Sequence, residues 1–178
     1  MATTTHQLTW EEFERLPDDG MHHELIEGEH QILPPPKSKH SIIADNVSRA
    51  LRPLEKLGRV MWEAGYKLAD DPRTWIEPDV SFLNTQRILA TDPDGYFIGS
   101  PDLAVEIISP SESARHIERK IALLLAGGST AVWVIYPDSR SVHVHTPDRK
   151  SVALGEGDAL TLPQLLPGWS LTIAQIFA

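Results

Sequence analysis

The spacing of apolar residues along the chain changes period several times, and each change predicts a different element. Thr9, followed three residues later by Glu12, has the spacing of a capping box at a helix start. From 23 to 33 apolar residues alternate, which predicts a β-hairpin. From 38 to 57 they recur at helical spacing, and Gly58 is expected to end that helix.

The rest of the chain alternates between strand-like and helix-like patterns. Strands are predicted over 60–68, 76–83, 103–108, 132–136 and 142–145, a polar loop over 86–99, a helix over 111–126, and a tail over 155–178 that packs on the core. The unit from 103 to 136 is long enough for a crossover between parallel strands. The remaining strands are joined by short turns and are expected to be antiparallel. The pattern predicts one α/β (α+β) domain over 1–178: a mixed β-sheet flanked by helices, with an N-terminal helix and β-hairpin.

Composition narrows the class of protein. An apolar content of 41% is typical of a globular domain, and the lack of cysteine excludes disulfides and thiolate zinc sites. The first ten residues do not resemble a secretory signal, and the longest apolar run, Ile121 to Ala126, is too short to span a bilayer. A cytoplasmic protein with no membrane segment is therefore expected.

The net charge bears on partners. Proteins that hold nucleic acid mainly by neutralising phosphates are usually basic, whereas this chain carries a formal charge of −9. Any nucleic-acid activity must therefore rest on a local site.

Two carboxylates stand in apolar strands and are the first candidates for such a site. Glu106 lies within LAVEII, and Asp79 begins the apolar run VSFL. A buried carboxylate is costly unless positive charge offsets it. If the two strands are neighbours, the carboxylates converge, and a divalent cation such as Mg²⁺ or Mn²⁺ would resolve their repulsion. The spacing alone leaves a structural ion pair equally open.

These acids belong to a longer pattern. Glu77-Pro78-Asp79-Val80, then SPDLAVEIISPS from Ser100 to Ser111, then Lys120 closely resemble the Uma-two family of proposed bacterial endonucleases, within the PD-(D/E)XK nuclease superfamily. The resemblance covers almost the whole chain, including 23–29, 38–40 and 131–135. Its most specific part is Val-Glu-Ile-Ile-Ser-Pro-Ser.

The resemblance implies a restriction endonuclease-like core and Mg²⁺- or Mn²⁺-dependent hydrolysis of phosphodiester bonds, with DNA as the substrate. It implies metal ligands at Asp79, Glu106 and the backbone carbonyl of Ile107. The superfamily lysine is absent, because Ile108 stands two residues after Glu106. The Uma-two family is similar in taking its lysine from the following helix, so the resemblance implies that the catalytic lysine is Lys120. A solvated lysine on the helix surface is the alternative. A homodimer is expected by analogy, because double-strand cleavage usually needs two sites.

Two further residues match family positions, and two depart from the pattern. Glu24 and His40 would border the site, although a surface acid and a locally bonded helix-start residue are the alternatives. His116 replaces an acid often found in the family, and Leu124 replaces a tyrosine. These departures favour a second hypothesis, a catalytically decayed domain of the same fold that acts in binding or assembly.

Two other functions have weaker support. A two-carboxylate glycoside hydrolase would need an aromatic groove, and the five tryptophans are scattered along the sequence. His143 and His145 would share one strand face, but a pair without a third ligand is weak evidence for zinc.

Overall fold

The structure is a computed structural model that describes residues 8–109 and 112–178. The helices are α1 (Trp10–Glu14), α2 (Ser38–Leu51), α3 (Thr85–Ala90), α4 (Ala114–Ala126) and α5 (Ile173–Ile176), with a 3-10 turn at Arg52–Lys56. The strands are β1 (His22–Ile26), β2 (Glu29–Leu33), β3 (Gly58–Trp62), β4 (Tyr66–Asp70), β5 (Arg73–Ile76), β6 (Val80–Asn84), β7 (Phe97–Ile98), β8 (Leu103–Ile107), β9 (Ala131–Tyr136), β10 (Ser141–His145), β11 (Ser151–Leu154), β12 (Ala159–Leu162) and β13 (Leu166–Thr172). Residues 1–7, Pro110 and Ser111 lie outside the described residues. Pro110 and Ser111 end the family-like motif, and Ser111 is the expected start of the helix over 111–126.

The central sheet has the strand order β11-β10-β9-β8-β6-β3. As predicted, β8 and β9 are parallel and α4 connects them, whereas the other neighbours in this sheet are antiparallel. Successive side chains of a strand point to opposite faces. In β8 the residues at 103, 105 and 107 face the core with α2 and α5, and Ala104 packs with α4. Glu106 therefore projects from the α4 face.

An outer sheet with the order β2-β1-β5-β4-β7 lies beside the central one, and β12 pairs with β13 in a third. The expected hairpin is confirmed as β1 and β2, and its turn residues Glu27 and Gly28 both have positive φ, as a tight hairpin turn requires. The capping box at Thr9 and Glu12 is also present. The fold class is confirmed, and the expected mixed sheet is the central one. The strands of the described residues also form two further sheets, which the sequence pattern did not predict.

The strands expected over 60–68 and 76–83 were wrong, because each divides between two sheets. The first breaks between β3 and β4, where a side chain at Gly65 would collide with the Trp75 ring. The second breaks at Glu77-Pro78-Asp79, where proline cannot donate a ladder hydrogen bond. Apolar spacing does not reveal these breaks, because apolar residues stand on both sides of each of them. The chain thus crosses between the two sheets within each of these predicted strands, and Asp79 lies at the crossing between β5 and β6.

Smaller corrections concern element ends. The helix expected over 38–57 leaves α-geometry at Leu51, since Pro53 favours the 3-10 turn, and Gly58 begins β3. Gly58 lies so close to the Leu83 carbonyl that a Cβ there would clash. The expected loop over 86–99 contains most of α3 and all of β7. The tail packs on the core as expected, through residues such as Leu160 and Ile176. Within the described residues, no helix is both long and apolar enough to cross a membrane.

Candidate active site

Asp79 and Glu106 face one cavity of about 390 Å³. Asp79 directly precedes β6, and Val80 pairs with Val105 of the antiparallel β8, so residues 79 and 106 lie at the same level of the sheet. The Ile107 N–H donates a 2.6 Å hydrogen bond to Asp79 Oδ2. This bond ties the crossing between the sheets to the end of β8 and holds both carboxylates at the cavity.

Glu106 is the most perturbed acid of the site. It is only 3% exposed, its Oε2 accepts a 2.7 Å hydrogen bond from Lys120 Nζ, and its Oε1 has no hydrogen-bond partner among the described residues. Burial raises the pKa of Glu106 well above its ordinary value, Lys120 opposes that shift, and the charges of Asp79 and Glu24 add to it. This direction agrees with the expected behaviour of a buried pair of acids.

Lys120 lies on the inner face of α4 and is 2% exposed, so the hypothesis of a solvated surface lysine was wrong. Its Nζ donates to Glu106 Oε2 at 2.7 Å and to Glu24 Oε1 at 3.0 Å. Burial disfavours the charged amine, but the carboxylates of Glu106 and Glu24 more than offset it and raise the Lys120 pKa above its ordinary value. The ammonium therefore stays charged inside the protein.

Glu24 projects from β1 of the outer sheet and is fully buried, so the surface-acid alternative was also wrong. Its Oε1 accepts hydrogen bonds from Lys120 Nζ and from the Glu77 N–H at 3.0 Å. Its Oε2 has no hydrogen-bond partner among the described residues and lies 3.9 Å from His116 Nε2. Glu24 thereby connects the outer sheet, the crossing before Asp79 and helix α4.

His40 contacts Asp79 from helix α2. It stands in the first turn of α2, and its Nε2 lies 3.2 Å from Asp79 Oδ1. Burial opposes protonation of His40, but Asp79 outweighs it, so the His40 pKa is raised. His40 is therefore directed at Asp79 rather than only at its own helix.

The two departures from the family pattern occupy different environments. His116 lies beside Glu24, and burial lowers its pKa. Leu124 is fully buried in the apolar cluster between α4 and the sheets. Its side chain is thus part of the core and does not line the cavity.

Sequence reasoning missed several polar residues of the cavity, among them His22, Glu63 and Glu77. His22 Nδ1 lies 3.4 Å from Glu77 Oε2, and its Nε2 lies 3.7 Å from Glu63 Oε1. Burial raises the pKa of Glu77, and Glu63 has a positive φ of 47°. Glu77 could have been found, since it stands two residues before Asp79, but the position of Glu63 depends on the crossing between β3 and β4.

The donor groups fit a hard divalent cation. No three His, Asp or Glu side chains within 8–109 and 112–178 form a ready-made metal site. Magnesium, however, is commonly held by one or two carboxylates and keeps several water ligands. The buried Glu106 Oε1 lacks a hydrogen-bond partner among these residues, and Asp79 shares its cavity. A cation would give that oxygen a partner and offset the repulsion between the acids.

Comparison with known proteins places the chain in a family. It matches the Uma2 (Uma-two) family, described as "Putative restriction endonuclease", over residues 10–174, and therefore belongs to it. A solved structure, described as "a putative nuclease belonging to DUF820 from Anabaena variabilis ATCC 29413", shares 26% identity and a TM-score of 0.83, covering 96% of this chain and 97% of that chain. No curated protein matches. Family and fold confirm the resemblance and support a nuclease.

The pKa shift of Glu106 predicts an effect on stability. A carboxyl whose pKa is raised in the folded state stabilises the fold below its unfolded pKa, near 4.5, and that contribution is lost as pH rises through the folded pKa. Glu106→Gln should therefore raise the free energy of unfolding of the metal-free protein near neutral pH, and the gain should shrink below about pH 4.5. Thermal melts across this range measure it. Glu118→Gln, an exposed change on the same helix, is the control; an equal gain at every pH would contradict the explanation.

Proposed function

We propose that this protein is a metal-dependent endonuclease that hydrolyses phosphodiester bonds in DNA. The observation that carries the proposal is the buried Glu106, with one oxygen on Lys120 and the other without a hydrogen-bond partner among the described residues, beside Asp79 at one cavity. Asp79, Glu106 and the carbonyl of Ile107 would hold Mg²⁺ or Mn²⁺. Bound there, the cation would polarise the scissile phosphate and acidify the attacking water.

The remaining chemistry falls to the side chains around these acids. Lys120 is a charged ammonium with three N–H donors, and two of them bind Glu106 and Glu24. The third can donate to a phosphate oxygen and stabilise negative charge that builds there. His40 and the Ile107 N–H fix the two oxygens of Asp79, so that the carboxylate is oriented before substrate arrives.

Metal binding and cleavage are tested together. Because a ligand that binds only the native state raises stability, Mg²⁺ or Mn²⁺ should raise the melting temperature, and each should support cleavage of DNA that a chelator stops. Stabilisation without cleavage would favour the alternative function, a decayed domain that keeps its cation site. An absence of both effects would contradict the proposed function.

A further inference from the structure

Part of the cavity lining is apolar. Leu33, the prolines at 34–36 and Ile108 line it together with Pro137, which follows β9. The three consecutive prolines join β2 to α2, and their exposed rings form a stiff apolar surface, because proline fixes φ. The Lys39 Nζ lies 3.1 Å from Asp138 Oδ1, which links the two sides at the rim. The reacting groups thus lie within a small chamber with apolar sides.

The charged residues that line this chamber disfavour the binding of many phosphate groups. Its described lining includes six carboxyl groups, among them Glu63, Glu77 and Glu112, against the lysines at 37, 39 and 120 and the histidines at 22 and 40. Duplex DNA presents a negative charge about every 1.7 Å along its axis, and binding it normally takes many cationic contacts. Most of these carboxylates would repel a duplex backbone, whereas a neutral base against apolar walls meets no such repulsion.

Resting on the proposed function, we infer that this chamber receives one unpaired nucleotide, so that single-stranded DNA, or an unpaired segment of a duplex, is the preferred substrate. A volume of about 390 Å³ lies in the lower part of the range for sites that hold one small molecule. Apolar side chains are the usual partners of an extruded base, and the proline rings and Ile108 supply them here. Lys37 and Lys39, in the segment that enters α2, supply positive charge for the phosphate at the rim. A single-stranded substrate would also need only one site.

The test compares labelled oligonucleotides of one sequence as single strand, full duplex, and duplex with an unpaired bulge. Binding is measured by fluorescence anisotropy in a chelator, where metal-dependent cleavage cannot consume the probe, and cleavage is measured with Mn²⁺ in separate samples. The single strand and the bulge should bind and be cleaved roughly tenfold or more better than the duplex. The reason is that a duplex must first unstack one base before that base can enter the chamber. The double variant Pro34→Ala/Pro35→Ala should lose most of this preference. Pro163→Ala, an exposed proline that does not line the chamber, should keep it.

The outcomes separate this inference from the proposed function. Equal or better binding and cleavage of the full duplex would overturn the chamber assignment while leaving hydrolysis intact. Preferential binding of the single strand without cleavage of any probe would support the chamber and overturn the proposed hydrolysis. A preference that persists in the double proline variant, or no binding of any probe, would also overturn the assignment.

Discussion

Asp79→Asn is expected to reduce Mg²⁺- or Mn²⁺-dependent cleavage by at least about 100-fold, as loss of one preorganised charged group at a reacting centre does. The stability of the metal-free protein should change by less than about 1 kcal/mol. Asparagine keeps an oxygen for the Ile107 N–H and removes a charge that Glu106 repels. An ordinary structural aspartate would behave oppositely, with lower stability and unchanged cleavage per folded molecule.

Another Pro-Asp pair of the chain, Pro101-Asp102, offers a matched control. Asp102 is also largely buried, but its carboxylate accepts hydrogen bonds from the N–H and side chain of Asn84, and it does not line the cavity. Asp102→Asn should therefore lower the melting temperature and leave cleavage per folded molecule close to wild type. Cleavage rates and melts are measured on the same samples. Wild-type cleavage by Asp79→Asn, or equal losses of cleavage in the two variants, would contradict the assignment of Asp79.

The contrast between these two aspartates shows where sequence reasoning succeeds. Both follow a proline and precede an apolar strand, so local pattern treats them alike. The apolar context of Glu106 and the resemblance to a family singled out Asp79, and the pairing of β6 with β8 brings residues 79 and 106 to one level. The crossover of β8, α4 and β9 could be predicted because its pattern and length allow few other arrangements.

Other features depend on contacts between segments far apart in the chain, which periodicity does not encode. Glu24 lies in an alternating strand, and alternation shows that one face is buried without showing what covers it. Here helix α4 covers it, and the buried partner is Lys120, 96 residues later. The division of the expected strands between two sheets had the same origin, because a strand buried in either sheet has the same apolar pattern. Glu63 was missed since its place depends on that division.

Lys120→Met should lower the free energy of unfolding by about 3–5 kcal/mol near neutral pH, because it leaves buried carboxylates without their cation. The length of the side chain is retained, so little packing is lost. Lys120 lowers the pKa of Glu106, so its removal raises that pKa further. A raised carboxyl pKa stabilises the fold below the unfolded value near 4.5 and costs stability as pH rises, so the penalty should be largest near neutral pH and should shrink in acid.

Two comparison variants isolate the buried charge as the cause. Arg119→Met changes the neighbouring residue of α4, whose guanidinium pairs with Glu27 and Glu29 near the surface, and should cost no more than about 1 kcal/mol. Adding Glu24→Gln to Lys120→Met removes one uncompensated acid and should recover part of the lost stability, which a double-mutant cycle measures. Denaturant melts at neutral and acidic pH give all the values needed. A loss of stability that is the same at both pH values and unchanged by Glu24→Gln would mean that Lys120 stabilises the fold by packing alone. That result would contradict the proposed role of Lys120 as a buried charge in the active site.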